Sequence, residues 1–313
     1  MTGRRLRLCR WGAAWLLLAV LLLSGCRGKL EEGIPVVVGI SFSNLADPWQ
    51  QQLYADIQEA ARGADIALLS YDAAGTGEAQ ADNLQELAVR KVDGLIAVAQ
   101  QDAEMAGALG AYRHLGIPVI LVQNPVEGYE PEGFVYSDNR RAGEIAGSYI
   151  ARVLGGRGVL MEIVGNPEDP VSTDRKLGFR SKVSIFPELR REYLVPGHDS
   201  GTFTEQALME NGLLSARPAP DAVFAHTDLM AAGAARAFKR VGMTPVVVGI
   251  NGLPGAMQGM DLVEQGILSA TVSYPTGGRI ALEMVLRRME RPDSPPERIG
   301  LQPVLHTGSK SPR

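Results

Sequence analysis

From Val36 onward the sequence repeats one pattern, in which a short apolar run is followed by a polar turn and an amphipathic stretch. Short apolar runs rich in β-branched residues predict buried strands, and longer amphipathic stretches predict helices. Strands that are continuously apolar and alternate with helices are typical of a parallel sheet covered by helices on both faces. The pattern contains ten such strands, more than one lobe usually takes, and therefore predicts two doubly wound α/β lobes.

The positions of these elements follow from the apolar runs and from start and stop residues. The predicted strands are 36–42, 66–71, 94–99, 118–123, 134–137, 158–164, 192–196, 222–226, 245–250 and 269–274. The predicted helices lie near 48–63, 77–91, 103–115, 139–155, 172–186, 202–215, 228–241, 254–265 and 276–290. The pair Asp47-Pro48 indicates a helix start, because Asp is a good cap and Pro suits the first helical position. In open sheets of this type, ligands bind at the carboxyl ends of the strands.

Residues 1–25 differ from the rest of the chain in charge and hydropathy. They contain four arginines and no acid, so the formal net charge of −4 leaves −8 for the remainder. An apolar run of 13 residues extends from Trp11 to Leu23. A helix needs about 20 apolar residues to span a bilayer, so this run is short for a permanent anchor and suits a signal peptide.

The end of this segment, Leu23-Ser24-Gly25-Cys26, resembles the lipobox of bacterial lipoproteins. The resemblance implies a lipoprotein signal peptide over 1–25, a diacylglycerol on Cys26 and a short lipidated tether over 26–35. The mature chain would then be exported and anchored to a lipid bilayer on the periplasmic or extracellular side. An ordinary secretory signal followed by a chance cysteine is the alternative.

Motifs for catalysis and cofactor binding are missing from the sequence. It contains no phosphate-binding glycine motif, no Gly-x-Ser-x-Gly and no His-Glu-x-x-His, and its four histidines are scattered. The acidic pair Glu168-Asp169 lies in a proline-containing loop and is predicted to be solvated. No catalytic residue, metal or cofactor is therefore predicted, and the chain is not expected to be an enzyme. The negative charge argues against a nucleic-acid partner.

Seven ordered segments between residues 35 and 306 resemble the periplasmic sugar-binding proteins of the ribose-binding type, which share their fold with lactose-repressor-like regulators. The segments are VVVGISFSNLADPWQQQL, GIPVILVQN, YSDNRRAGEIAG, STDRKLGF, AVFAHTDLMAAGAARA, VVVGINGLPGAMQ and LSATVSYPTGGRIA. The resemblance implies two lobes that are joined by three hinge crossovers and close on a ligand.

The same resemblance implies where the lobes begin and end. The amino-terminal lobe would comprise 34–137 plus 275–296, and the carboxyl-terminal lobe 138–274 plus 297–308. The crossovers would then fall near Ser137-Asp138, near Tyr274-Pro275 and around residue 296.

Eight positions match places where family members bind their ligands. They are Asp47, Trp49, Gln123, Asn124, Arg175, Thr227, Asn251 and Tyr274. Core packing is the alternative for Trp49, and a hinge-side salt bridge is the alternative for Arg175. Asp228 is interpreted as a helix cap rather than as a ligand contact.

Several of these positions depart from the family in one direction. Gln123 and Asn124 stand where Asp-Arg is common, Thr227 and Asn251 where Asn and Asp are common, and Tyr274 where glutamine is usual. Amides both donate and accept hydrogen bonds. The departures predict a small neutral polar ligand, which is expected to be a carbohydrate or a less hydroxylated molecule such as a nucleoside.

The resemblance therefore predicts a monomeric, lipid-anchored solute receptor that delivers its ligand to the permease of an ABC importer. A sensory receptor with the same fold, which signals occupancy to a membrane kinase or chemoreceptor, is the alternative. A cytoplasmic enzyme or repressor is disfavoured, because a repressor needs a DNA-binding domain where a signal peptide is predicted in this chain.

Overall fold

The computed structural model describes residues 35–100 and 104–308, which form twelve strands and nine α-helices. The strands are β1 (Val36–Phe42), β2 (Ile66–Asp72), β3 (Gly94–Ala97), β4 (Val119–Val122), β5 (Gly133–Ser137), β6 (Arg157–Val164), β7 (Glu188–Pro196), β8 (Ala222–Ala225), β9 (Val246–Asn251), β10 (Ala270–Ser273), β11 (Glu297–Leu301) and β12 (Val304–Thr307). The helices are α1 (Pro48–Ala61), α2 (Gly77–Val89), α3 (Glu104–Leu115), α4 (Asn139–Val153), α5 (Pro170–Val183), α6 (Gly201–Glu210), α7 (Asp228–Arg240), α8 (Gly259–Glu264) and α9 (Gly278–Glu290).

The segment predicted to be a signal peptide, Cys26 and nearly all of the predicted tether lie outside the described residues. Within the described ranges, every helix is too short or too polar to cross a membrane.

The strands form two six-stranded sheets. The first has the order β11-β5-β4-β3-β1-β2, and the second has the order β12-β10-β9-β8-β6-β7. In the first sheet β1, β3, β4, β5 and β11 are parallel. In the second sheet β6 to β10 are parallel, and only the edge strand β12 runs antiparallel to its neighbour β10. The prediction of two doubly wound α/β lobes is confirmed.

Each lobe has an apolar core between its sheet and the covering helices. In the first lobe, Leu84 and Leu87 of α2 and Tyr112 of α3 pack on the buried strands. In the second lobe, Phe238 of α7 and Met161 of β6 belong to the corresponding cluster. Apolar residues three positions apart lie on one face of a helix, which is why α2 buries Leu84 and Leu87 together.

All ten predicted strands form, but β11 and β12 were not predicted. Both are edge strands, and the outer residues of β11, Glu297 and Arg298, are exposed. A sheet edge needs little apolar sequence, because only one side of the strand is paired and much of it faces water. The hydrophobic pattern on which strand prediction depends is therefore weak in this part of the chain.

The strand β11 also corrects the predicted lobe boundaries. Residues 297–301 pair with β5 of the first sheet, so assigning 297–308 as a whole to the carboxyl-terminal lobe is wrong. Only β12 pairs in the second sheet, with β10. The third connection between the sheets is thus Gln302-Pro303 and not a segment around residue 296. The other two connections lie between β5 and α4 and between β10 and α9.

In the second lobe, α4 and α5 pack at very short range. A Cβ at Gly143 would collide with the carbonyl oxygen of Arg175, and a Cβ at Gly178 would collide with that of Arg140. Only glycine permits such a close approach of two helix backbones. This packing brings the start of α4, which follows the first connection, next to Arg175 of α5.

Candidate functional site

A cavity of about 680 Å³ lies where the carboxyl ends of the strands of both lobes meet. All eight residues predicted to bind a ligand line this cavity: Asp47, Trp49, Gln123, Asn124, Arg175, Thr227, Asn251 and Tyr274. Ligand pockets for small molecules typically have volumes of about 300 to 1,000 Å³. The structure therefore brings the predicted residues together in a space of suitable size.

Asp47 and Trp49 enter the cavity from the start of α1. Asp47 caps the helix, because its Oδ1 accepts a hydrogen bond of 2.9 Å from the backbone N–H of Trp49, and Pro48 occupies the first helical position. Burial raises the pKa of Asp47 above its ordinary value. Trp49 is only 4% exposed, and its indole Nε1 has no hydrogen-bond partner among the described residues. Trp49 is thus both packed and in contact with the cavity.

Gln123 and Asn251 occupy comparable places in the two lobes, directly after β4 and at the end of β9. Both have left-handed backbone angles, with φ of 74° at Gln123 and 123° at Asn251. For residues with a Cβ this conformation costs free energy, and such strain is concentrated at ligand sites. The buried Oε1 of Gln123 has no donor among the described residues. Both strand ends therefore present an amide to the cavity in a strained conformation.

Arg175 is the centre of a buried hydrogen-bond network. Its Nε donates to Asn139 Oδ1 at 2.9 Å, and its Nη1 donates to the carbonyl oxygen of His226 at 2.6 Å. Its Nη2 donates to Asn251 Oδ1 at 2.9 Å and also to the hydroxyl of Tyr274. That hydroxyl in turn donates to Asn139 Oδ1 at 3.0 Å. Arg175 thereby joins the first two connections between the lobes to the ends of β8 and β9.

This network differs from the hinge-side salt bridge that was the alternative for Arg175. The contact with a ligand that the resemblance implied stays a prediction. Within the described part of the chain, Arg175 forms no ion pair, and four of its five N–H groups bond to neutral oxygens. One N–H of Nη1 has no protein acceptor there. Arg175 is on the hinge side, but its partners are amides, a phenol and a carbonyl.

Thr227, and not Asp228, caps α7. The hydroxyl oxygen of Thr227 accepts a hydrogen bond of 3.3 Å from the N–H of Met230, so the interpretation of Asp228 as the cap is wrong. Asp228 is instead buried, where it accepts hydrogen bonds of 2.7 Å from Thr271 Oγ1 and 2.6 Å from the N–H of Gly252. Burial raises the pKa of Asp228 to about 6. Asp228 anchors the backbone directly after Asn251.

His226 follows β8 and is 1% exposed. Its Nδ1 lies 2.9 Å from Ser172 Oγ and accepts a bond of 3.4 Å from the N–H of Gly165. Because Nδ1 accepts, the ring proton belongs on Nε2, which lies 3.4 Å from Oε1 of the fully buried Glu162. Burial lowers the pKa of His226, so the imidazole is neutral at physiological pH.

Several cavity residues were not predicted as ligand contacts. The polar ones include Asn44, Gln100, Asp169, Ser172, Asp199 and His226. The interpretation of Glu168-Asp169 as a solvated pair is wrong for Asp169, whose Oδ1 caps α5 by accepting from the N–H of Val171 at 3.0 Å. The available signal was the pair Asp169-Pro170, which repeats the Asp47-Pro48 helix start of the other lobe.

The described residues contain no cluster of side chains suited to bind a metal ion. Across residues 35–100 and 104–308, no group of three or more His, Cys, Asp or Glu side chains is placed to hold a metal ion.

Two α/β lobes joined by three connections, with a cavity at the carboxyl ends of both sheets, define a hinged small-molecule-binding protein. The profile of the periplasmic binding protein domain matches residues 38–290. The chain belongs to this family, and its resemblance to the ribose-binding type is confirmed.

Individual relatives agree with this assignment. The ribose import binding protein of Bacillus subtilis is 28% identical over 248 residues, which cover 79% of each chain. The fructose binding periplasmic domain of a hybrid two component system is 27% identical, with a TM-score of 0.77 over 87% of this chain and 90% of that one. An ABC transporter solute binding protein from Mycobacterium smegmatis, solved with bound glycerol, is 26% identical, with a TM-score of 0.76 over 88% and 95%.

Proposed function

We propose that this protein is an extracytoplasmic receptor that captures a small, sugar-like polar ligand by closing its two lobes and delivers it to an ABC importer. The observation that carries the proposal is the cavity, in which eight predicted contacts from both lobes converge. The family assignment and the names of the relatives support the ligand class and the importer.

The polar groups of the cavity suit a ligand with several hydroxyl groups. Trp49 Nε1 is a donor without an acceptor, and Gln123 Oε1 is an acceptor without a donor, among the described residues. A hydroxyl group both donates and accepts, so a polyol can satisfy both atoms. Trp49 also lines the cavity, and an aromatic side chain is a residue type that packs against the apolar side of a sugar. Leaving such groups unsatisfied costs about 1 to 3 kcal/mol each, and ligand binding would recover this cost.

Lobe closure would take place about the three connections. We assign residues 34–137 and 275–301 to the amino-terminal lobe and residues 138–274 and 304–308 to the carboxyl-terminal lobe. In this arrangement Arg175 bonds Asn139 after the first connection and Tyr274 in the second. A ligand that contacts Arg175 would thus act directly on the hinge.

A sensory receptor is the second candidate, and the similarity to the periplasmic domain of a hybrid two component system favours it. Transport and sensing both use the ligand-bound state, so binding measurements do not separate them. Deleting the gene distinguishes them: an importer component is needed for uptake of the labelled ligand, whereas a sensor is needed for ligand-induced transcription.

We further propose export and lipid anchoring through Cys26, by the resemblance of residues 23–26 to a lipobox. Cys26→Ser should abolish labelling by a palmitate analogue and release the protein from the membrane fraction. Persistent membrane labelling of this variant would contradict anchoring without bearing on ligand binding. The mature chain is proposed to be a monomer without enzymatic activity.

Tryptophan fluorescence provides the test of ligand capture. The chain has three tryptophans, and cleavage before Cys26 leaves only Trp49, which lines the cavity. Titration with pentoses, hexoses, inositols and nucleosides should change the emission saturably for at least one compound and raise the melting temperature. Asn251→Ala should weaken that binding, whereas Val89→Ala, at an exposed position of α2, should leave it unchanged. If the whole panel produces neither a fluorescence change nor a thermal shift, the proposed function is wrong.

A further inference from the structure

The side chains around the cavity have an unbalanced charge. Among the described residues that line it, four carry carboxylates, whereas Arg175 is the single lysine or arginine. Asp47 belongs to the amino-terminal lobe, and Asp169 and Asp199 belong to the carboxyl-terminal lobe. The fourth carboxylate, Glu168, is on an exposed residue at the rim.

The three aspartates have no positively charged partner within hydrogen-bond distance in the described part of the chain. Each uses one oxygen to accept a backbone N–H: Asp47 from Trp49 at 2.9 Å, Asp169 from Val171 at 3.0 Å and Asp199 from Asn166 at 3.1 Å. The other oxygen of each carboxylate has no protein donor among the described residues.

Electrostatic repulsion connects the aspartates across the two lobes. The pKa of Asp47 is raised chiefly by burial, and the carboxylates of Asp199 and Asp169 raise it further. Burial and Asp199 likewise raise the pKa of Asp169. All three aspartates line the same cavity, and a cation placed among them would relieve the repulsion that acts on Asp47 and Asp169.

Arg175 lowers the pKa of both Asp47 and Asp169, but it does not pair with either of them. Its bonded N–H groups are held by neutral oxygens of Asn139, His226, Asn251 and Tyr274. One fixed positive charge therefore remains against three aspartates, and the excess negative charge is available to a ligand.

Trp49 is an independent feature of the same wall. Only 4% of Trp49 is exposed, and its Nε1 donor has no hydrogen-bond partner among the described residues. The N–H requires an acceptor such as a hydroxyl or ring oxygen, and an indole face also attracts cations. A carboxylate beside an indole is a combination suited to an ammonium group on an oxygen-rich molecule.

We propose that the ligand carries a protonated amine, so that it is an amino sugar or an aminopolyol of monosaccharide size. The ammonium group would lie by Asp47 and the two aspartates of the other lobe, with oxygens of the same molecule on Trp49 and the amides. This inference rests on the proposed receptor function and narrows its ligand class. A neutral ligand, which the amides of Gln123 and Asn251 would suit, would leave the charges of Asp169 and Asp199 without a cationic partner among the described residues.

The test compares matched ligands by isothermal titration calorimetry on the purified mature protein in a slightly acidic, low-salt buffer. D-glucosamine, D-galactosamine and D-mannosamine are each titrated beside the parent hexose and the N-acetyl derivative, which lacks the charge. At least one amine should bind about tenfold more tightly than its two uncharged counterparts, because a charge-assisted hydrogen bond to a carboxylate is stronger than the neutral bond that a hydroxyl or an amide donates.

Two variants remove charge while preserving the fold. Asp47 and Asp169 are helix caps, and Asn caps as well as Asp does, so Asp47→Asn and Asp169→Asn keep both helix starts. Each should weaken binding of the amine about threefold or more, and should weaken binding of the parent hexose by a smaller factor. Asp293→Asn, which removes an exposed carboxylate outside the cavity, is the matched control and should change neither.

The two proposals fail in different ways. If hexoses or other neutral compounds bind and no amine binds more tightly than its parent hexose, the proposal that the ligand carries an amine is wrong, whereas the proposed receptor function stands. If neither the amines nor the wider neutral panel binds, both proposals are wrong. An amine whose affinity is the same in the wild type and in both cap variants would also overturn the assignment to these aspartates.

Discussion

Replacing Tyr274 by Phe tests the network that joins Arg175 to the hinge. The side chain of Tyr274 is 7% exposed, and its hydroxyl accepts from Arg175 Nη2 and donates to Asn139 Oδ1 at 3.0 Å. Phe fills the same volume and keeps the ring, over which the guanidinium carbon of Arg175 lies 5.9 Å from the centroid. The substitution therefore removes one hydroxyl and two hydrogen bonds from a buried site.

The expected loss of stability follows from these two bonds. A hydrogen bond to a charged group contributes about 1.5 to 3 kcal/mol, and the bond to Asn139 adds less because its Oδ1 still accepts from Arg175. Part of the loss is offset, because a phenol no longer has to be buried. We expect the free energy of unfolding to fall by about 2 kcal/mol, which corresponds to a melting temperature lower by about 3 °C for a protein of this size.

Urea unfolding of the ligand-free protein, followed by circular dichroism, measures the change directly. Tyr136→Phe is the control, because Tyr136 is 37% exposed and hydroxyl loss at an exposed site changes stability by less than about 0.5 kcal/mol. If Tyr274→Phe is no more destabilising than this control, the hydroxyl does not hold Arg175 and the proposed link to the hinge is refuted.

Three further substitutions test other parts of the site. Burial raises the pKa of Asp228 from 3.8 to about 6, so its contribution to stability is full below about pH 3.8 and is lost as the pH rises through 6. The stability difference between the wild type and Asp228→Asn, measured by urea unfolding, should shrink by about 2 kcal/mol between pH 4 and 7. Gln123→Gly should leave stability equal or up to about 1 kcal/mol higher, because glycine accepts a φ of 74° without strain, yet calorimetry should show weaker ligand binding. Glu162→Gln should lower the free energy of unfolding by about 3 kcal/mol, because it removes the buried carboxylate that lies 3.0 Å from the guanidinium of Arg180 in the wild type. A loss below about 1 kcal/mol would contradict the ion pair.

The alternation of strands and helices was predictable because apolar periodicity directly reflects burial. It was strongest for interior strands such as β3 and β4, in which every residue is buried. Apolar periodicity did not indicate β11, because the first two residues of this strand are exposed. The third connection between the lobes was therefore predicted at the wrong position. Hydrophobic patterns in a sequence indicate which residues become buried on folding, and an edge strand is only partly buried.

The convergence of the predicted site residues has a similar explanation. Gln123, Thr227 and Asn251 end or follow strands, and parallel strands place their carboxyl ends at one edge of the sheet. The partners of Arg175 were not predictable, because they depend on the close packing of α4 on α5 and on the path of the chain near Tyr274. Asp199 belongs to a loop with left-handed backbone, and its approach to Asp47 requires both lobes to be in place.

The path of the chain through the two sheets determines the order in which the lobes can be completed during synthesis. Helix α9 packs on α1 and on the first sheet, and β11 then forms the edge of that sheet. A ribosome that has released only the first 274 residues therefore exposes an amino-terminal lobe without its last helix and strand, while most of the second lobe has already emerged. Both lobes, including the one encoded first, are thus completed only at the end of translation, and truncation from the carboxyl terminus would remove an edge strand from each sheet.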